Sequence, residues 1–422
     1  MTFKDVQGHA LSGASAAALD PFEQANHELR CLIGDPLASA QRAMDLAPQM
    51  TLAHALVAWL NLLGTEPAGL DAARAALQVA RQLPADEREA MHLRAIEQLV
   101  SGQWHAASRT LEDLTIRWPH DALALQVGHQ LDFFTGHTRM LRDRIARALP
   151  SWQAGRPGYH AVLGMMAFGL EECGDYVRAE QLGRQSVALE RRDGWGWHAV
   201  AHVLEMQQRR RDGIDWFRGD VDAWGTGSFF AVHNAWHLGL YHLGLEQIDE
   251  VLALVDERIL GGASAVVLDM IDASAMLWRL HLRGVDVGNR WEALADRWAP
   301  QAEAGNYAFN DLHAMMAFAC AGRDELAQRL LASQAESMRA PGDNAGFLRD
   351  VGADATRALL AFVQGRHGEC VALLRPLRSR AHRFGGSHAQ RDLIDLTLIE
   401  AAARDGQQAL AEALRNERAM LN

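Results

Sequence analysis

Lysine is all but missing: Lys4 is the only one in 422 residues. A Walker A loop needs its lysine, and so does Schiff-base chemistry, so neither belongs to this fold. Cysteine is scarce. Cys31, Cys173, Cys320 and Cys370 stand far apart and form no C-x-x-C. That spacing suits reduced, buried thiols in a cytosol better than a disulfide framework or a cysteine-based zinc site. No run reaches the roughly 18 apolar residues of a membrane span. The first stretch, MTFKDVQGHALSGASAAALD, lacks a continuous apolar segment, which predicts neither signal peptide nor anchor and a cytoplasmic protein. Basic charge is short as well. Lys plus Arg is 41 against 53 for Asp plus Glu, a formal net charge of −12, which argues against nucleic acid as a partner. Neither G-x-G-x-x-G nor the G-x-S-x-G nucleophile elbow is present.

What the chain has is helix formers and histidine. The apolar fraction is 49%, and there are 19 His and 12 Trp. Segments such as LDAARAALQVARQLP and ALAEALRNERAML are rich in Ala, Leu, Arg and Glu, and alternating β-branched runs are missing. The fold class is therefore all-α. Breaks recur at intervals. Pro48, Pro84 and Pro119 are 36 and 35 residues apart. Gly102, Gly136, Gly174, Gly213, Gly244, Gly284, Gly322 and Gly365 step by 34, 38, 39, 31, 40, 38 and 43. These steps bracket the ~34-residue helix–turn–helix unit of tetratricopeptide repeats. GQWHAASRTLEDLTIRWP from Gly102 and GDYVRAEQLGRQSVALE from Gly174 show the unit most plainly. A helical hairpin cannot bury its apolar face alone, so the hairpins should stack into a right-handed α-solenoid. The expected division is an N-terminal tail over residues 1–20 and a single solenoid over 21–422.

The polar residues inside the apolar helices are the candidate site. GWGWHAVAHVLEM sets His198, His202 and Glu205 at i, i+4 and i+7, hence on one helical face. FFAVHNAWHLGLY does the same for His233, His237 and Tyr241. VVLDMIDASAML holds Asp269 and Asp272, with Arg279 as a possible salt-bridge partner. FNDLHAMMAF holds Asn310, Asp311 and His313, and His92 and His129 lie upstream. Counted back from the next periodic glycine, all fall in the first helix of their hairpin, the helix that lines the concave face of such arrays. Charged and imidazole groups in apolar helices need partners: one another, water or a metal.

H-x-x-x-H supplies two imidazoles on one face, as zinc sites use, with Glu205 as a further ligand. The run is HAVAH, so the zincin general base is absent. Imidazole and carboxylate from several helices could hold Zn, Fe or Mn. The expected ligands are His198, His202, Glu205, His237, Asp272, Asp311 and His313. A metal-free site is the alternative, with His198, His202, Glu205, His233 and His237 acting as acid or base. His129, Trp197, Trp236, Tyr241 and Arg391 are the expected substrate contacts, Arg391 as a fork for a carboxylate. Trp195, Trp197 and Trp236 read more readily as core or inter-repeat packing than as ligand stackers.

The runs HAVAHVLEM, HNAWHLGLY, LDMIDASAMLWRL, NRW, FNDLHAMMAF, RDVG and GGSHAQRD resemble those of the tetratricopeptide repeat protein 38 family, which includes bacterial StaR-like proteins. The likeness runs in order from about His92 to Asp392, and the first 80 or so residues match poorly. It implies a tetratricopeptide-like solenoid and marks His198, His202, Glu205, His233, His237, Asp272, His313 and Arg391 as family-motif positions. It supplies no reaction, although a hydroxylase role has been speculated for the StaR-like members, which are found in glycopeptide antibiotic clusters. Two functions follow as expectations. One is a metal-dependent hydrolase or oxygenase of a small metabolite. The other is a scaffold that binds a peptide or protein partner in its groove.

Overall fold

Helices end where the backbone turns left-handed, and this chain does so at regular intervals. Among the residues with positive φ, Leu32, Thr65, Gly102, Gly136, Gly174, Gln208, Glu246, Gly284, Gly322, Gly365 and Gly406 follow the end of a helix and are separated by 33 to 43 residues. Nearly all of these turns share one hydrogen-bond pattern. At Gly102, for example, its N–H donates to Leu99 O and the next N–H, of Gln103, donates to Gln98 O. This is the Schellman closure, which satisfies the last carbonyls of a helix. Two of the periodic glycines read from sequence are therefore misplaced. Gly213 and Gly244 lie inside helices, and the turns fall at Gln208 and Glu246. The glycines serve close approach instead: a Cβ on Gly213 would lie 2.4 Å from the Tyr241 ring, and one on Gly244 would lie 2.1 Å from Arg210 Nε.

The computed structural model describes residues 2–421 and is all-α apart from one short hairpin. The hairpin pairs Phe3–Lys4 (β1) with Ala10–Leu11 (β2), antiparallel. Helices follow at Ala16–Cys31 (α1), Pro36–Leu46 (α2), Thr51–Leu63 (α3), Pro67–Ala80 (α4), Glu87–Val100 (α5), Trp104–Arg117 (α6), Ala122–Phe134 (α7), Thr138–Ala148 (α8), Tyr159–Glu171 (α9), Tyr176–Leu189 (α10) and Gly194–Met206 (α11). The chain continues through Arg210–Arg218 (α12), Val221–Gly225 (α13), Ala231–Gly244 (α14), Ile248–Leu254 (α15), Val267–Leu282 (α16), Arg290–Trp298 (α17) and Ala308–Cys320 (α18). Asp324–Ser337 (α19), Asp343–Phe347 (α20), Ala353–Val363 (α21), His367–Leu374 (α22), His388–Arg404 (α23) and Gln408–Leu421 (α24) complete it. Aspartates cap many of the starts. Asp86 accepts from Glu89 N while the Glu89 side chain accepts from Asp86 N, a reciprocal box that opens α5. No helix among the described residues is long and apolar enough to cross a membrane.

Contacts divide the chain into two compact units. The first runs to Val203 and includes Asp220–Ala231; the second is Leu204–Gly219 with the residues from Val232 on. In the first unit α1 through α10 pack each on its chain neighbours, with further contacts of α3 to α5 and of α7 to α9. Its core contains Leu125, Ile145, Val162, Met165 and Leu170. It also buries an ion pair. Arg144 binds Asp132 through Nε and Nη2 at 2.7 and 2.9 Å, and both side chains are 0% exposed. The residue-20 boundary expected for a tail falls within α1, which starts at Ala16. The hairpin before it is tied down: Arg88 donates to Ala10 O, Ser12 N donates to Glu89, and Gln7 donates to Pro157 O. In the second unit α16 packs on α18 and α23, and α18 packs on α21. Trp278 and Trp298 are fully buried there, their indole N–H groups donating to Thr397 Oγ1 and Ser274 Oγ. All four cysteines are free thiols, and burial pushes those of Cys320 and Cys370 up to about 12.

Candidate functional site

In the first unit α9 ends on two acids. Glu171 is its last residue and Glu172 follows in the cap, before the left-handed Gly174 closes the helix. Both carboxylates are buried, 0% and 3% exposed. Carboxylates are disfavoured at a helix C-terminus, where the macrodipole is already negative, and burial adds a desolvation cost. A nearby cation, a donor or a shared proton offsets such a cost for the pair. His202 of α11 faces it, with Nδ1 3.5 Å from Glu171 Oε2, and is itself 0% exposed. One ligand atom from each of Glu171, Glu172 and His202 lies within 4.8 Å of the others.

Aromatic rings surround this group. His198, one turn before His202 on α11, has its ring centroid 4.4 Å from that of His202. Phe168 lies 5.1 Å from both rings. Trp195 and Phe230 flank His198 at 5.8 and 5.0 Å. His129 stands behind Trp195, edge-on at 5.3 Å. Its Nε2 donates to Met165 O at 3.1 Å, and burial pulls its pKa down to about 4. His129 is thus a neutral, hydrogen-bonded ring within the wall. Trp197 is turned elsewhere: its indole N–H donates to Arg191 O at 2.8 Å, which pins the segment before α11.

The second unit holds the other expected residues. His233, on α14, donates from Nδ1 to both oxygens of Asp272 at 2.9 Å. That bond fixes the tautomer and makes Nε2 the basic nitrogen. Asp272 therefore hydrogen-bonds His233, and it acts on Arg279 only through its charge. Arg279 donates to Ala275 O and Ala389 O and stacks its guanidinium over Trp236 at 5.2 Å. Trp236 is sandwiched further by His233, parallel at 5.4 Å, and by His237, edge-on at 4.9 Å. Glu205 faces Arg210, Arg279 and Arg418. Desolvation raises its pKa despite those cations, and the buried Tyr241 hydroxyl beside it is raised by the same cause.

On α18, Asp311 accepts from Gln334 Nε2 at 3.1 Å, and burial pushes its carboxyl up to about 7. His313 donates from Nδ1 to Phe309 O of its own helix, and burial pulls its pKa down to about 4. Asp311 is thus paired with the neighbouring helix, whereas the Nε2 of His313 is buried without a hydrogen-bond partner among the described residues. Arg391, on α23, is half-buried and donates to Gly386 O, five residues back in the loop before that helix.

No family model matches the chain.

Sequence reasoning located His198 and His202 but passed over Glu171 and Glu172. Their signal was available. FGLEECGD sets two adjacent acids at the end of an apolar helix, immediately before the helix-ending glycine. An acid pair at that position opposes the helix dipole, and so invites the question of what cation it serves.

Proposed function

We propose that this chain is a cytoplasmic tetratricopeptide-like α-solenoid enzyme in which Glu171, Glu172 and His202 hold a divalent metal ion. It would be a distant member of the tetratricopeptide repeat protein 38 family. The observation that carries the reading is the convergence of those three ligand atoms within 4.8 Å in a buried setting. Two carboxylates and an imidazole form a hard-to-borderline donor set suited to Fe, Mn or Zn. A bound ion would act as a Lewis acid and activate water or oxygen for hydrolysis or oxygenation of a small molecule. The residues around it do the rest. His198 lies next to His202 and can hold or pass a proton at its ring nitrogens. Phe168, Trp195 and Phe230 supply an apolar, aromatic wall, which suits a substrate with a flat or apolar body.

The repeated Schellman turns, 33 to 43 residues apart, support the solenoid reading, since each interval is about the length of one helix–turn–helix unit. The ordered run of shared motifs from His92 to Asp392 supports the family reading. Four free thiols support a reducing compartment. The test is metal analysis of the purified protein. Glu171→Gln and His202→Ala should each lose one metal equivalent per chain while keeping helical circular dichroism. Unchanged metal content in both variants would overturn the reading and leave the partner-binding scaffold in its place.

A further inference from the structure

A second group of metal-ligating side chains lies in the first unit and shares no residue with the carboxylate site. His27 and Cys31 are one turn apart at the end of α1, so they present to the same side. Cys31 Sγ is 3.8 Å from His27 Nδ1 and 4.0 Å from its Nε2. His160, the second residue of α9, brings its ring centroid to 6.5 Å from that of His27. One ligand atom from each of His27, Cys31 and His160 lies within 4.8 Å of the others. A tetrahedral zinc ion with a Zn–S bond of about 2.3 Å and Zn–N bonds of about 2.0–2.1 Å holds S and N about 3.6 Å apart. The Cys31–His27 separation already matches this.

An independent feature points the same way. His160 donates from Nδ1 to Asp193 Oδ2 at 2.6 Å. The bond fixes the tautomer, so Nε2 is the nitrogen offered to an ion. Asp193 is itself held, accepting from Ser186 Oγ at 2.7 Å and Gly196 N at 3.0 Å, and is 0% exposed. A carboxylate locked behind a histidine is the arrangement that orients zinc-binding imidazoles. The backbone accommodates it at Gly194, where a Cβ would lie 2.8 Å from Cys31 O. Only glycine lets the start of α11 come this close to the end of α1.

We propose that His27, Cys31 and His160 form a zinc site, with Asp193 as the carboxylate behind His160. One thiolate and two imidazoles are the donors that zinc favours, and three protein ligands leave its fourth position for water or a small ligand. His27 and His160 are half-buried, so solvent reaches that side.

The test is cobalt substitution in the full-length protein. Metal-free protein titrated with Co²⁺ should develop a thiolate-to-cobalt charge-transfer absorption that saturates at one equivalent and is displaced by Zn²⁺. Cys31→Ser should abolish the band, and His160→Gln should do so in a second variant if the first folds poorly. Cys370→Ser should leave it intact. Asp193→Asn should keep the band but weaken Zn²⁺ affinity by 10-fold or more. Glu171→Gln should not alter it, so this site and the carboxylate site stand or fall separately. No band in the wild type, or a band that survives Cys31→Ser, would overturn the proposal.

Discussion

Asp311 and His313 sit two residues apart on α18 and tilt the dependence of stability on pH in opposite directions. Burial pushes Asp311 up to about 7. Between its unfolded value near ~4 and that value, the folded state holds a proton that the unfolded state has released. The stability it contributes is full below about pH 4 and is lost as pH rises through 7, with a ceiling of roughly 4 kcal/mol. His313 is pulled down to about 4. Its contribution is full above about pH 6.5 and is lost as pH falls through 4, because the unfolded imidazole binds the proton first. Urea unfolding at pH 5 and pH 7 should show Asp311→Asn gaining stability relative to wild type at pH 7 and less at pH 5. An unchanged difference at the two pH values would mean that the burial of Asp311 is not felt. Ion pairs differ at this scale too. Asp132→Ala strands Arg144 in the core and should cost about 3–5 kcal/mol. Removing the exposed Glu87 partner of Arg117 should have no measurable effect on the same unfolding curve.

The left-handed turn that closes a helix recurs along the chain, and it is the part that sequence located least well. Glycine marks most of the left-handed positions, so most intervals could be read directly. Gln208 and Glu246 occupy the same conformation, at φ 53° and 59°, with side chains that disfavour it. The reading slid to Gly213 and Gly244 because glycine is the expected residue there. Those glycines are retained for a different physical reason, the close packing of Tyr241 and Arg210. Gln208→Gly and Glu246→Gly should therefore each raise stability by about 0.5–1 kcal/mol, read from the shift in denaturant midpoint at constant slope. Gly213→Ala should lower it, since a methyl there would strike the Tyr241 ring. If the two turn variants are neutral or destabilising, the Schellman assignment at those positions fails.

Over the whole molecule, helix content and the scarcity of strands could be read from composition alone. The grouping of ligands could not. Helical spacing placed His198 with His202 and His233 with His237, because i, i+4 neighbours need no tertiary information. The pairing of His202 with Glu171 spans 31 residues, and that of His233 with Asp272 spans 39. Only the packing of separate helices decides such contacts. His27 and Cys31, at i and i+4, could have been paired from their spacing, but no local spacing links either of them to His160 or Asp193. The scarcity of lysine keeps its meaning, since the two proposed sites draw on imidazole, carboxylate and one thiolate.

The most direct measurement of the central claim is metal binding in a Cys31→Ser background, which removes the thiolate site from the count. The protein is stripped with chelator, reconstituted in turn with Fe²⁺, Mn²⁺ and Zn²⁺, desalted and analysed for metal per chain. We predict one equivalent of at least one of these ions, falling to none when Glu171→Gln and Glu172→Gln are added. Equal metal content with and without the two glutamates, in protein of unchanged helicity, would contradict the account.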